Sequence, residues 1–218
     1  GTGYGAYLQT SSNNNSVYSN TITTSGSTGR GAILDTSSNN SVYSNTITTS
    51  GTSGYGAYLV TTSNNNNVYN NTITTSGSSG RGAYLSGSSN NNVYSNTITT
   101  SNINAYGVML DTSSNNSVYS NNITTSNTSS YGIYVNNNVR NSTIYDNNIT
   151  TKNMTSSYGI YLLDNVNNNT FYRNTISSLA IGILVNGSGQ TAGQTTRFNT
   201  FTNDTIVPCT AGCNANYN

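Results

Sequence analysis

The sequence predicts an all-β solenoid of about eight coils, each built from three short strands. The first observation is an internal repeat with a period of 25 to 27 residues, which is typical of stacked repeat architectures. The second is that each repeat contains short β-branched segments with alternating apolar residues, separated by corners rich in Asn, Ser and Gly. The third is composition: only 5% of the residues are charged, yet 18 Tyr and regularly spaced Ile, Val and Leu indicate an ordered chain.

The block VYSNTITT at Val17–Thr24 marks the repeat. In this block Val17 and Ile22 are expected to face the core, whereas Tyr18 and the two threonines beside Ile22 face outward. The alternation shifts by one residue between Val17 and Ile22, so the chain is expected to bend near Ser19 and Asn20. Related blocks start at Val42, Val68, Val93, Val118, Ile144 and Phe171, and a degenerate copy at Thr196–Thr202 is centred on Phe201.

A Gly-initiated strand, first seen as Gly5-Ala6-Tyr7-Leu8, precedes each block. Its second and fourth positions hold only Ala, Val, Ile or Leu in all eight copies, which predicts that they face inward. The pattern ends near residue 203, so we predict one solenoid domain at 1–202 and a terminal segment at 203–218. That segment contains Cys209 and Cys213, which are expected to form a disulfide in an oxidising compartment, a reduced pair being the alternative.

The combination of Gly-Ala-Tyr-Leu, Asn-Asn, Val-Tyr and Asn-Thr-Ile resembles the parallel β-helix repeat family, which includes NosD-type copper-enzyme maturation proteins and many microbial surface proteins. The resemblance covers roughly residues 4–202 and implies a right-handed parallel β-helix. Many activities share this scaffold, so the resemblance does not define a function. Copper handling would require soft or imidazole ligands, which Met109 and Met154 alone do not supply.

Equivalent residues of successive coils should stack in columns, because neighbouring strands lie about 4.8 Å apart. One column consists of asparagines at the bend, where amide groups can bond to one another from coil to coil. This predicted structural ladder is Asn20, Asn45, Asn71, Asn96, Asn121, Asn147, Asn174 and Asn199.

Two outward columns are rich in Tyr, and we interpret them as backbone shields, lateral packing surfaces or sugar-binding surfaces. In the first strand the tyrosines are Tyr7, Tyr58, Tyr84, Tyr134 and Tyr161, interrupted by Ile33, Met109 and Leu184. In the second strand they are Tyr18, Tyr43, Tyr69, Tyr94, Tyr119, Tyr145 and Tyr172. A further column alternates Tyr and Arg from Tyr4 to Tyr106, which predicts a cation–π stack.

The chain is predicted not to be an enzyme, with no catalytic residue, cofactor or metal site. It contains no His and no Glu, and none of its five Asp repeats in neighbouring coils. Asp35 and Asp111 share a repeat position but lie three coils apart, about 14 Å, which is too far for a carboxylate pair. Asp146 is expected to form a surface ion pair with Arg173.

The charge and hydropathy of the chain exclude several partners. A net charge of +1 provides no basic surface for nucleic acid, and no apolar run is long enough to span a membrane. Twelve Asn-x-Ser/Thr motifs are candidate glycosylation sites, although so many are expected by chance in such an Asn-rich chain. They are Asn14, Asn39, Asn70, Asn115, Asn122, Asn127, Asn141, Asn148, Asn153, Asn168, Asn186 and Asn203.

Three functions follow as hypotheses. The leading one is an extracellular structural protein at the cell surface, whose copies stack head to tail into a filament or surface layer. Its basis is the low charge, the aromatic columns and a first coil as regular as the third, although a piece of a longer solenoid would also start in this way. The second hypothesis is a glycan-binding adhesin stalk that uses the Tyr columns. The third is an ice-binding protein that uses the Thr-x-Thr face beginning at Thr21 and Thr23.

Overall fold

The computed structural model describes residues 1–153, 155–186 and 196–207, which form a parallel β-solenoid. The described residues form 24 strands in three parallel sheets of eight strands each. Each coil contributes one strand to each sheet, so the predicted all-β architecture of about eight coils with three strands per coil is confirmed.

The first sheet contains β1 (Tyr4–Gln9), β4 (Arg30–Asp35), β7 (Tyr55–Val60), β10 (Arg81–Ser86), β13 (Tyr106–Asp111), β16 (Ile133–Asn136), β19 (Tyr158–Leu163) and β22 (Ile181–Asn186). The second contains β2 (Ser16–Tyr18), β5 (Ser41–Tyr43), β8 (Asn67–Tyr69), β11 (Asn92–Tyr94), β14 (Ser117–Tyr119), β17 (Thr143–Tyr145), β20 (Thr170–Tyr172) and β23 (Thr200–Thr202). The third contains β3 (Thr21–Thr24), β6 (Thr46–Thr49), β9 (Thr72–Thr75), β12 (Thr97–Thr100), β15 (Asn122–Thr125), β18 (Asn148–Thr151), β21 (Thr175–Ser178) and β24 (Thr205–Val207).

The core is a stack of equivalent apolar side chains from the three sheets. In the fourth coil Ala83, Leu85, Val93 and Ile98 are completely buried, and their register partners in the coils on both sides are apolar too. Burying a side chain of the size of Leu or Ile stabilises a fold by about 1.5–3 kcal/mol. The inward positions predicted from the alternation are therefore confirmed.

The last coil differs from its prediction in register. Phe201 pairs with Phe171, and Ile176 pairs with Ile206, so the central isoleucine of the repeat has its eighth copy at Ile206 and not at Phe201. The spacing from Asn174 to its partner Asp204 is 30 residues, longer than the 25 to 27 of the other coils, and this longer spacing concealed the last copy. The solenoid consequently extends past residue 202, at least to Val207. Cys209 and Cys213 lie outside the described residues.

The bend between the second and third sheets depends on one residue with a left-handed backbone. In each coil this is the residue before the ladder position, with φ between 52° and 55°. The sequence predicted the bend near Ser19 and Asn20, and the structure assigns the left-handed conformation to the first of these two positions. Each such non-glycine residue costs roughly 1 kcal/mol, which the surrounding hydrogen bonds must offset. The column is Ser19, Ser44, Asn70, Ser95, Ser120, Asp146, Arg173 and Asn203.

The predicted asparagine ladder satisfies the polar groups of this bend. Asn96 illustrates the pattern: its Nδ2 donates to the carbonyl oxygens of Val68 and Tyr94 at 2.9 and 3.0 Å. Its backbone N–H and its Nδ2 both donate to Oδ1 of Asn121, each at 3.0 Å. Its own Oδ1 accepts the same pair of bonds from Asn71. The ladder runs in this way from Asn20 to Asn174.

Asn199, the last predicted rung, belongs to a different ladder. It accepts hydrogen bonds from the backbone N–H and Nδ2 of Asn169, at 3.0 Å each. This second ladder, at the corner before the second sheet, was not predicted, although its signal is a polar residue two positions before each inward Val, Ile or Phe. Its members are Asn15, Asn40, Asn66, Asn91, Asn116, Ser142, Asn169 and Asn199.

Replacing Asn96 with Ala should lower the free energy of unfolding by about 3 kcal/mol or more. The substitution leaves the buried N–H groups of Asn71 without an acceptor, and each buried unsatisfied group costs about 1–3 kcal/mol. The measurement is urea unfolding followed by circular dichroism. Asn92→Ser is the matched control, because its register partner is already Ser117, and it should change stability by less than about 0.5 kcal/mol. Equal effects of the two substitutions would contradict a special role of the ladder.

Gly82 should not tolerate even a methyl group. A Cβ at Gly82 would lie 2.2 Å from Cγ2 of Ile98 and 2.5 Å from the backbone oxygen of Gly107. Gly82→Ala is therefore expected to destabilise the solenoid by at least about 2 kcal/mol in thermal or urea unfolding. Gly80→Ala is the control: Ala105 already occupies the equivalent position of the next coil and is buried there, so a smaller effect is expected. The reverse order of the two effects would refute this account.

Candidate functional site

Chemically reactive side chains of the described residues gather on the outer face of the first sheet. Two adjacent columns, which we call the tyrosine–arginine face, make up this surface. The first column is Tyr4, Arg30, Tyr55, Arg81, Tyr106, Tyr131 and Tyr158. The second is Tyr7, Ile33, Tyr58, Tyr84, Met109, Tyr134, Tyr161 and Leu184.

Two arginines enclose a tyrosine on this face, as the alternating sequence predicted. The guanidinium carbons of Arg30 and Arg81 lie 4.0 and 4.9 Å from the ring centroid of Tyr55. Arg81 also lies 4.6 Å from the ring of Tyr84, and its Nη1 donates to the hydroxyl of Tyr55 at 2.6 Å. Arg30 uses its Nη1 to donate to the carbonyl oxygens of two neighbouring corners, at 2.6 and 2.7 Å. Cation–π contacts of this kind hold both guanidinium groups against the tyrosine rings.

Neither arginine of this face has a carboxylate partner in the part of the chain that the structure describes. Within the described ranges the one ion pair joins Arg173 and Asp146 at 2.7 Å. It lies at the bend between the second and third sheets, and the sequence predicted it. The hydrogen bond from Arg173 lowers the pKa of the Asp146 carboxyl below its usual range. Arg30 and Arg81 are half-buried and two coils apart, about 10 Å at the strand spacing. The face therefore carries two cations whose remaining N–H groups can contact an anion.

Part of the second column is covered, although the sequence predicted it to be an outward surface. Tyr134 and Tyr161 are only 9% exposed and Met109 only 5%, because the neighbouring tyrosines of the first column fold over them. Burial raises the pKa of Tyr84 to about 12 and also raises the pKa of Tyr131 and Tyr134. Of these three hydroxyls, that of Tyr84 donates a hydrogen bond to Asp111.

A sparse column of acids borders the same face. The hydroxyls of Tyr7 and Tyr84 donate to Asp35 and Asp111 respectively, both at 3.1 Å. Nδ2 of Asn137 also donates to Asp111, at 2.8 Å. The register places Asp35 and Asp111 three coils apart in one column, as predicted. Each carboxylate is therefore held separately by tyrosine or asparagine.

The tyrosines of the second sheet form a regular stack. From Tyr18 to Tyr172 six successive ring pairs have centroids 4.8–5.0 Å apart and planes within 1–6° of parallel. Each inner ring covers the faces of its neighbours and presents its edge to solvent. The predicted Tyr ladder is thus confirmed as a structure. A sugar that stacks on a ring face would find such a face only at the ends of this column.

The third sheet presents pairs of threonines outward, and each threonine lies directly beside its equivalent in the next coil. Thr72 and Thr97 are exposed, and Thr74 and Thr99 are half-buried in the adjacent column. The outer column contains Asn122 and Asn148 in the fifth and sixth coils, so the all-threonine array covers the first four coils. The ice-binding hypothesis for this face remains a prediction.

The asparagines of the twelve glycosylation motifs are all exposed or half-buried. Five of them occupy one column at the corner before the second sheet, and every one of the five is exposed with φ between 55° and 60°. These are Asn14, Asn39, Asn115, Asn141 and Asn168.

Two further properties were searched for in the described parts of the chain. No three His, Cys, Asp or Glu side chains there come together in a way that could hold a metal ion. No helix in those ranges is long and apolar enough to cross a membrane.

Comparison with solved structures finds similar folds in two enzymes. The periplasmic alginate epimerase AlgG aligns with a TM-score of 0.68 and 16% sequence identity, over 94% of this chain and 47% of the epimerase. The DFA-IIIase of Arthrobacter chlorophenolicus A6, solved as a mutant with DFA-III, aligns with a TM-score of 0.59 and 11% identity, over 87% of this chain and 45% of that enzyme. The chain thus spans about half the length of these structures, and at such low identity the likeness shows the fold alone.

These comparisons contradict the prediction that the chain is not an enzyme. That prediction relied on the absence of His, Glu and repeated acids. The structural neighbours are an epimerase and a DFA-IIIase, so the same fold supports catalysis in other proteins. The lack of a repeated acid pair is therefore no criterion for excluding an enzyme.

The family to which the chain belongs is shown by its sequence pattern. No curated protein sequence matches the chain significantly. The family described as right-handed β-helix region, however, matches residues 4–176 and 78–218, which together span nearly the whole chain. The strands, the three sheets and the in-register coils are those of such a helix. The chain therefore belongs to the right-handed β-helix family.

Proposed function

We propose that the chain is an extracellular structural protein whose copies stack head to tail into a filament or surface layer. The observation that carries the proposal is the equivalence of the coils: all three sheets pair in register from one coil to the next, and the ladders repeat with them. Any coil surface therefore fits the coil surface that follows it. A contact between two different end surfaces does not close, so it generates a filament.

The outermost described coils contain groups that such stacking would cover. Ala6, Leu8 and Val17 of the first coil are core residues that remain partly exposed, as does Ile183 in the last coil. Their strands β1, β2 and β22 lie at the edges of their sheets in the described chain, and an edge strand favours pairing with another strand. The low charge of the chain, 5% of its residues, opposes such contact very little.

The proposed location is outside the cytoplasm. The similar epimerase structure is described as periplasmic, which supports a secreted or surface location for this chain. We also propose the disulfide between Cys209 and Cys213 and glycans on the corner asparagines, both of which need an oxidising or secretory route.

A second candidate function is binding of an acidic polysaccharide along the tyrosine–arginine face. The observation that favours it is the pair Arg30 and Arg81, two cations without carboxylate partners in the described chain, aligned along the solenoid axis. An extended polymer that carries carboxylates at regular intervals could lie along this axis. The similar AlgG structure is an alginate epimerase, so alginate is the first polymer to test.

Head-to-tail stacking predicts filaments of the purified chain under negative-stain electron microscopy, with a scattering mass that grows with concentration. Leu8→Lys should abolish both, because it places a charge in the end surface of the first coil. Gln9→Lys is the matched control, since Gln9 lies next in the same strand and faces outward, and its filaments should persist. A wild-type chain that remains monomeric at high concentration, without fibres, would refute the proposal.

Binding of an acidic polysaccharide predicts that alginate retards the chain in affinity electrophoresis more than neutral dextran does. The double substitution Arg30→Gln and Arg81→Gln should weaken the retardation about tenfold or more, since charged hydrogen bonds contribute about 1.5–3 kcal/mol each. Arg173→Gln is the control, because Arg173 lies at a different bend and is paired with Asp146. If all three proteins migrate alike, the tyrosine–arginine face does not bind the polymer.

A further inference from the structure

The last described rung of the main ladder is an acid. Asp204 occupies the register position that asparagine holds in the seven preceding coils. Its Oδ1 accepts hydrogen bonds from the backbone N–H and Nδ2 of Asn174, at 2.8 and 2.9 Å. These are the two bonds that every ladder Oδ1 accepts from the rung before it. One oxygen of Asp204 therefore behaves as the amide oxygen of the ladder.

The second oxygen of Asp204 takes the place of the amide nitrogen. In the rung before it, Nδ2 of Asn174 donates to the carbonyl oxygen of Ile144 at 3.0 Å. By register the corresponding carbonyl for Asp204 is that of Phe171. Oδ2 of Asp204 is buried and has no hydrogen-bond partner among the described residues. An ionised oxygen cannot donate to a carbonyl, whereas a protonated carboxyl can do so as the amide does.

Among the described residues, the charged side chains nearest in sequence to Asn174 and Asp204 are those of Arg173 and Arg197. Arg173, next to Asn174, points outward to Asp146, and the backbone N–H of Arg197 donates to Asn167 at the preceding corner. Neither arginine is among the causes of the pKa shift of Asp204, which are its burial and its bonds from Asn174. Burial is the largest of these and raises the pKa of the carboxyl above its usual value of 3.8.

We propose that Asp204 is a pH-sensitive rung that couples the last described coil to the rest of the solenoid. When protonated, its carboxyl donates through Oδ2 and continues the asparagine ladder into β23 and β24. When ionised, it keeps the bonds that it accepts from Asn174 but places an unpaired negative oxygen where a donor is needed. The last coil is then held less firmly against the seventh.

The direction of the pH effect follows from the raised pKa. In the folded chain Asp204 retains its proton at pH values where the unfolded chain has already lost it. The stabilising contribution is therefore complete below the unfolded pKa of 3.8 and is lost as the pH rises through the folded value. This is the opposite of the usual aspartate, such as Asp146, whose lowered pKa stabilises the fold at higher pH.

The test combines a carboxyl titration with hydrogen exchange. The chain has five Asp and no Glu, so carbon-13 labelling of aspartate gives few carboxyl signals. The carboxyl signal that is missing from the spectrum of the Asp204→Asn variant belongs to Asp204. Asp204 should titrate above the usual pKa of an aspartate, and Asp146 should titrate below it. The second measurement is the ratio of amide protection between residues 196–207 and residues 92–100. This ratio should fall as the pH rises, by up to about tenfold for each unit by which the pKa of Asp204 is raised.

Asp204→Asn supplies the matched reference, because it restores the residue of the other rungs. Its protection ratio for residues 196–207 should not depend on pH and should equal that of the wild-type chain at acidic pH. Asp146→Asn should leave the pH dependence of these residues unchanged. The proposal is overturned if Asp204 titrates at or below its usual value, or if Asp204→Asn shows the same pH dependence as the wild-type chain.

Discussion

Every coil of this solenoid depends on the hydrogen bonds that the next coil supplies at its buried corners. A chain that turns three times in about 25 residues must bury backbone groups at those turns, and an unpaired buried group is costly. The asparagine amide solves this problem because it donates and accepts along the same axis. The arrangement works only if equivalent residues stack without a shift. One constraint thus determines the register of all three sheets.

The outer faces follow from the same register. Side chains that point outward are repeated at the strand spacing, so identical residues become stacks and alternating residues become mixed columns. Stacked tyrosines on the second sheet protect one another's ring faces, whereas alternating Tyr and Arg on the first sheet leave two cations without carboxylates in the described chain. The side chains that could bind a ligand or change protonation state are therefore found where the repeat is broken, as it is at Arg30, Arg81 and Asp204.

The β-solenoid fold and the function that it supports are separable properties. The similar epimerase and DFA-IIIase share the fold at 11–16% identity, so the fold does not depend on the identity of most individual residues. A solenoid of this kind is a rigid surface on which a few side chains are held at fixed intervals. Such a surface is suited to stacking with a second copy and equally to contact with an extended polymer. The two proposed functions use different parts of it: the end surfaces and the tyrosine–arginine face.

The sequence by itself determined the strands, the inward residues, the ladder from Asn20 to Asn174 and the stacked Tyr columns, because each depends on a pattern repeated at a nearly constant spacing. The tertiary structure decided what that spacing could not. It placed Asp204 in the ladder and Asn199 in a second one, since the last coil is longer and only strand pairing reveals its register. It also showed that Tyr134 and Tyr161 are covered, because burial of an outward residue depends on the size of its neighbours in adjacent columns, which alternation along one strand does not describe.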